Sequence, residues 1–455
     1  MRTRTRGRAA AAVLAVAAVI SGAPARAQDE VKAFSLRAAR DFAVAHSYDT
    51  RKSELDVASA RQKLKETLYG GFPQVTSNIS YNDNIKLATS LIPNFFENKL
   101  DEKIPVQFGT QHNASANIQV QQLVFNGSYI VGLQTSRLYR ELAEQGLDRT
   151  SLTVKETVTK TYGLILVARE NERILRATLS NLEKTNAEIR ELNREGFVAE
   201  TDADLVQMAV NQLRNGVEAL KSQVEIALKL LNFQMGLDLE EKIELTDTLP
   251  DLLARTDVAA ALARAFKLEN NIDWKLLVSQ EKMSEQALKN EKARYWPTVS
   301  AFFTYQQNAF RDSFNFFSAG RRWFPLQILG ITVSIPIFRS GAQTARVAQA
   351  EVAAEQARNV RRQASQGILL QAEQAKTNLV LAQDKYRVMK DNLSLAERIY
   401  EATLAKYKEG LASSMELTQA NDKVLQSQTS YIDALSGLLN AKTALDRMFD
   451  SFEEE

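Results

Sequence analysis

Glu409-Gly410-Leu411-Ala412-Ser413-Ser414-Met415-Glu416 interrupts a long apolar seam. Before it, Leu379, Ala382, Tyr386, Met389, Leu393, Ala396, Tyr400, Thr403 and Tyr407 follow one another in steps of three and four. After it, Leu417, Asn421, Val424, Gln428, Tyr431, Leu435, Leu438, Lys442, Leu445 and Phe449 resume the rhythm. Such spacing marks a helix under-wound to pack on partner helices. Two antiparallel helices joined by a turn at Gly410 are therefore expected. Glu195-Gly196-Phe197-Val198-Ala199-Glu200-Thr201-Asp202 has the same setting. A proline-free stretch from Ser128 to Glu195 precedes it, on the order of 100 Å of helix. Val206, Val210, Leu213, Val217, Leu220, Val224, Ala227 and Leu231 bring a helix back.

Two similar hairpins prompt a search for an internal repeat. Pro73 and Pro297, Ser47 and Asn271, and Asp49 and Asp273 share an offset of 224, while Phe125 matches Phe338 and Gly196 matches Gly410 at 213 and 214. Each half reads as helix, strand, strand, very long helix, returning helix. The first half is placed at 28–240, with strands near 73–82 and 113–125 and its tip at 190–206. The second is placed at 241–449, with strands near 297–306 and 328–338 and its tip at 404–420; an acidic tail, 450–455, follows. Phe34–Leu68 and Asp257–Arg294 are each expected as helix, and the segment around Pro93 and Pro105 as irregular.

The strands have period two. Val75, Ile79 and Tyr81 alternate with Gln74, Thr76, Asn78 and Ser80, and Ala114, Ala116, Ile118 and Val120 with Ser115, Asn117, Gln119 and Gln121. One apolar and one polar face suit a barrel wall between lipid and a water-filled lumen. Four strands cannot close a barrel, and open edges are not tolerated in lipid. Three copies would supply twelve. Phe72, Tyr81, Tyr295, Trp296, Tyr305, Trp323 and Phe324 are candidates for aromatic girdles at the membrane surfaces. The fold class expected is mainly α with a membrane β-barrel contribution: a trimeric twelve-stranded barrel continuing into an α-helical tunnel.

Composition narrows the chemistry. With no cysteine, disulfides, thiolate metal sites and an N-terminal lipidated cysteine are excluded. Arg2, Arg4, Arg6 and Arg8 precede an apolar run from Ala9 to Ile20, and Ala25-Arg26-Ala27 provides a cleavage site, so residues 1–27 read as a secretory signal peptide. An uncleaved anchor is the alternative, disfavoured because the run is shorter than the roughly 20 residues a spanning helix needs. Loss of the five arginines in 1–27 leaves 52 basic against 55 acidic residues. The basic excess is thus a property of the signal, and no nucleic-acid partner is expected. His46 and His112 have no ligand spacing, and no phosphate loop, nucleophile elbow or zinc helix occurs. No metal, cofactor or enzymatic activity is expected.

The duplicated order of elements and the two turn motifs resemble the TolC-like outer-membrane factors, the outer-membrane efflux protein family. The resemblance implies a passive homotrimeric exit duct in the outer membrane of a Gram-negative bacterium, with most of its mass in the periplasm. It would serve a tripartite efflux pump or type I secretion system, in contact with outer-membrane lipid. The implied partners are a periplasmic adaptor (membrane fusion) protein and an inner-membrane pump of RND, ABC or MFS type. Adaptor contact would fall at the tips, at Gly196, Phe197, Thr201, Gly410, Leu411 and Ser414. Tyr407 matches a family tyrosine that clasps the neighbouring hairpin, Asp202 the aspartate it bonds, and Glu416 an acidic ring at the closed aperture. Ala412 stands where some members carry a clasp arginine, and Gln419 where they have a second acidic ring.

Simpler readings stand beside these. Gly196 and Gly410 suit helix C-termini, while Thr201, Asp202 and Ser414 suit caps of the returning helices. Tyr407 also lies on the apolar seam, and Glu416 can be a solvated charge. A soluble periplasmic coiled-coil adaptor or scaffold is the alternative from another class, though adaptors ordinarily have one such hairpin rather than two.

Overall fold

Capping residues delimit many of the helices of this chain. The computed structural model describes residues 31–95 and 99–452; the expected signal peptide and the end of the acidic tail, 453–455, lie outside them. A short strand β1 (Lys32–Phe34) leads to α1 (Leu36–His46) and α2 (Tyr48–Tyr69). Phe34–Leu68 is thus not one helix: Ser47 is extended and ends α1 while its hydroxyl caps α2 at the Thr50 amide. Strands β2 (Gln74–Asp83), β3 (Thr89–Asn94), β4 (Lys99–Gln107) and β5 (His112–Phe125) follow. Then come α3 (Gly127–Arg194, 68 residues) and α4 (Glu200–Met235).

The second half repeats this order. It has β6 (Ile243–Leu245), α5 (Leu249–Arg255), α6 (Val258–Ala263), α7 (Ile272–Ala293), β7 (Thr298–Arg311), β8 (Phe324–Ser334), α8 (Ala342–Lys408, 67 residues) and α9 (Ser414–Phe449). Asp257–Arg294, expected as one helix, is broken between α6 and α7. Asn271, extended, caps α7 by accepting from the amides of Asp273 and Trp274.

The order β2-β5-β7-β8 gives a four-stranded sheet, antiparallel throughout. The two halves therefore meet at β5 and β7, and β2 and β8 are left as open edges. Residues abreast share a face. Val75, Val120, Phe303 and Leu329 form one row, and the next, Thr76, Gln119, Thr304 and Ile328, points the other way. On that second face Asn78, Asn117 and Gln306 stand abreast. Gly330 is required there, since the Phe302 ring would lie 2.6 Å from a Cβ.

Several sequence expectations need correction here. Strand β8 ends at Ser334 and begins at Phe324, four residues earlier than expected, while β7 runs on to Arg311. The segment around Pro93 and Pro105 is a β3–β4 hairpin, with Leu91 opposite Pro105 and a register shift after Pro93. Tyr305 sits mid-strand beside Ile118, away from either end of the sheet, so it is no girdle residue. The other aromatics divide between the two ends. Tyr81 packs on Phe314 and Phe316, and Phe316 on Trp323. At the helix junction Phe125 stacks on Trp296, and Tyr69 lies near Phe72.

Midway down the long helices the beginnings of the two halves come together. β1 and β6 pair in parallel, Lys32 with Ile243 and Phe34 with Leu245. Beneath them Tyr162, Ile165, Leu231, Met235 and Leu435 are sealed in one core. The Asp247 carboxylate accepts from Leu36 N–H at 2.6 Å, and the Tyr162 hydroxyl lies 3.0 Å from Phe34 O and 3.2 Å from Asp247 Oδ2. Phe452 closes the chain against Leu152 and Ile272, under the guanidinium of Arg40. Among the described residues no helix is long and apolar enough to cross a membrane.

Candidate functional site: the paired hairpin tips

Both tips turn by the same device. Gly196 and Gly410 have φ of 80° and 73°, the left-handed region that costs glycine least. At the first tip Phe197 N–H donates to Leu192 O at 2.9 Å and Gly196 N–H to Asn193 O at 3.0 Å. At the second, Leu411 N–H donates to Lys406 O at 2.8 Å and Gly410 N–H to Tyr407 O at 3.0 Å. These are matching Schellman caps that satisfy the last carbonyls of α3 and α8. They leave Phe197 and Leu411, 79% and 78% exposed, at the extremities, and Thr201 is exposed as well.

The two returning helices begin differently. Ser413 is the N-cap of α9: its hydroxyl accepts from Glu416 N–H at 3.2 Å, and Glu416 Oε2 accepts from Ser413 N–H at 2.7 Å. This is a reciprocal capping box. Donation to the carboxylate from the Ser413 N–H, and next from the Ser413 hydroxyl at 3.2 Å, holds the Glu416 carboxyl below the usual range. At α4 the N-cap is Ala199, which has no side chain to offer. Asp202, three residues on, is the counterpart of Glu416. Its carboxylate accepts instead from the Ser414 hydroxyl at 2.5 Å.

Asp202, Ser414 and Tyr407 are thus brought together, while Glu416 is occupied at home. Tyr407 is not hydrogen-bonded to Asp202; its hydroxyl is buried without a partner. Burial, and next the negative charge of Asp202, push the Tyr407 hydroxyl pKa up. Ser414, expected at the adaptor-facing surface, is buried. Sequence reasoning missed the Ser414–Asp202 bond because the partners are 212 residues apart. Part of the signal was present, since S-x-x-E at 413–416 reads as a capping box and Ala199 breaks that pattern at the first tip.

Above the tips, Leu182, Ile189, Ala203, Val206, Val210 and Leu417 form a small core, with Tyr400, Leu404 and Tyr407 against it. It joins the two hairpins. Polar links flank it: Lys408 pairs with Glu188 at 2.8 Å, level with the core, and further from the tips Gln428 Nε2 donates to Thr178 Oγ1 at 3.1 Å. A cleft of about 520 Å³ opens there, lined by Lys184, Thr185, Tyr400, Asn421 and Gln428. Midway along the helices the hairpins share the larger core around Tyr162 and Leu435, so the tip end, held by one small apolar cluster and a few polar links, separates more readily than the middle.

Residues 277–449 match the outer membrane efflux protein family. That segment lies in the second half, whose elements the first half repeats. No curated protein matches the chain by sequence. Among solved structures, the chain is similar to the outer membrane protein VceC from Vibrio cholerae, at 14% identity over 91% of this chain and 95% of that one, with a TM-score of 0.68. Similarity to CusC is 15% over 91% and 92%, with a TM-score of 0.72. The open state of the Neisseria gonorrhoeae MtrE outer membrane channel matches at 13% over 91% and 88%, with a TM-score of 0.65. Residues 277–449 thus match the outer membrane efflux protein family, and the chain shares its fold with the outer membrane proteins VceC, CusC and MtrE.

Proposed function

We propose that the protein is a passive homotrimeric exit duct in the outer membrane of a Gram-negative bacterium, serving a tripartite efflux pump or type I secretion system. The observation that carries this reading is the four-stranded sheet with two open edges at the head of helices about 100 Å long. Strands β2 and β8 run in opposite directions, so β2 of one copy beside β8 of the next continues the antiparallel alternation. Three copies then close twelve strands, within the range of outer-membrane barrels. The amide- and hydroxyl-rich face turns to the lumen, because unpaired polar side chains facing hydrocarbon are costly.

Energy comes from an inner-membrane pump of RND, ABC or MFS type, joined through a periplasmic adaptor that meets the exposed tips at Phe197, Thr201 and Leu411. Opening is a rearrangement of the hairpins, with Asp202 and Tyr407 in the gate. Glu416, repeated by the threefold axis, contributes negative charge at the aperture. Insertion of the purified protein into planar bilayers tests the reading. Discrete conductance steps from a species of trimeric mass are expected; extraction from membranes by salt without detergent would overturn it in favour of a soluble scaffold.

A further inference from the structure

The two tips are copies of each other up to the first turn of the returning helix, where they part. In α9 the third helical residue, Glu416, is engaged by the N-cap Ser413. In α4 the equivalent acid, Asp202, faces an N-cap alanine and has no such engagement. A carboxylate near a helix N-terminus is favoured by the local field, and one left without a serine cap is available to a donor from elsewhere. Ser414 supplies that donor. As the first residue of α9 it stands next to a cap that Ser413 already provides, so its hydroxyl is not needed for its own helix.

We infer that Ser414 and Asp202 form the latch between the two hairpins of each chain, and that the alanine at 199 is what releases Asp202 for it. The inference rests on the duct reading for its consequence in gating, but the latch is a property of the chain itself. It differs from a tyrosine clasp, because Tyr407 reaches no partner in this arrangement. A hydroxyl donating to a carboxylate belongs to the stronger hydrogen bonds. Ser414 is 9% exposed, and Leu417 and Ala203 beside the pair are buried in the small core that joins the hairpins.

Hydrogen–deuterium exchange of the full-length protein in detergent tests this directly. In Ser414→Ala, amides at both tips, 199–206 and 413–420, should exchange about fivefold faster, as loss of one partly exposed charge-assisted bond implies. Ala199→Ser is the sharper test. It offers Asp202 a cap of its own, so exchange should slow at the start of α4 and quicken at the start of α9. A purely structural role for either residue does not produce opposite signs at the two tips. Parent-like exchange at 413–420 in both variants, or faster tip exchange in Tyr407→Phe but not in Ser414→Ala, overturns the latch. Planar-bilayer recordings on the same samples address the other reading. Higher conductance in both variants is expected; if no sample conducts while the exchange pattern appears, the duct reading fails and the latch stands.

Discussion

Gly236→Ala should destabilise the protein more than an ordinary surface substitution, by two separable effects. Gly236 ends α4 at φ 75°, ψ 21°, in the left-handed region. A Cβ there costs about 1–2 kcal/mol by local sterics alone. The added methyl would also lie 2.3 Å from His46 O and 3.0 Å from His46 C, both backbone atoms at the α1–α2 junction. Neither can swing aside as a side-chain tip would, so α4 and α1 must separate, at about 1–3 kcal/mol more. Leu231 and Met235, fully buried just before the turn, would feel the shift. The total, about 2–5 kcal/mol, should appear as a fall of several degrees in the thermal midpoint in detergent, followed by intrinsic fluorescence. A midpoint within one degree of the parent would refute the close backbone approach and the left-handed strain together.

Tyr162→Phe removes the hydroxyl between Phe34 O and Asp247 and should cost about 1–3 kcal/mol in denaturant unfolding; no loss would mean that the β1–β6 junction does not depend on it. Burial, then the neighbouring Tyr386, raises the Tyr431 pKa to about 12. Because its folded pKa is raised, the stability tied to neutral Tyr431 is present below the ordinary tyrosine value and is lost as pH climbs towards 12; ultraviolet titration should show a group of late-ionising tyrosines, Tyr162 and Tyr407 among them, and Tyr431→Phe should remove one tyrosine's amplitude from that group. The Glu416 shift has the opposite sign. Its carboxyl pKa is lowered by Ser413, so the cap of α9 is present above the ordinary carboxylate value and is lost as pH falls through the depressed one. Amide exchange at 413–417, corrected for intrinsic rates, should therefore rise on acidification in the parent and not in Glu416→Gln.

Period and punctuation made much of the fold readable in advance. The three-four seam around Gly410 and the two-residue alternation in β2 and β5 are local signals, repeated enough to stand out, and the left-handed glycines mark both turns. Short elements gave no such signal. Three residues of β1 carry no period, and β3 and β4 are interrupted by Pro93 and Pro105, residues that usually argue against a strand. The break between α6 and α7 depends on Asn271, which caps α7 only where the preceding chain turns away.

At the tips the division is equally clear. The chain by itself determined two long hairpins turning at glycines, because helix ends are governed by residues three or four apart; the caps expected at Thr201, Asp202 and Ser414 fall instead at Ala199 and Ser413, where the backbone entering each helix is still extended. Only the tertiary structure decided that β5 lies against β7, that Phe452 packs against both halves and that Asp202 takes its hydrogen bond from Ser414 rather than Tyr407. Those contacts join residues far apart in sequence. Their geometry depends on how two long helical hairpins lie side by side, where a shift of one turn changes which donor reaches the carboxylate.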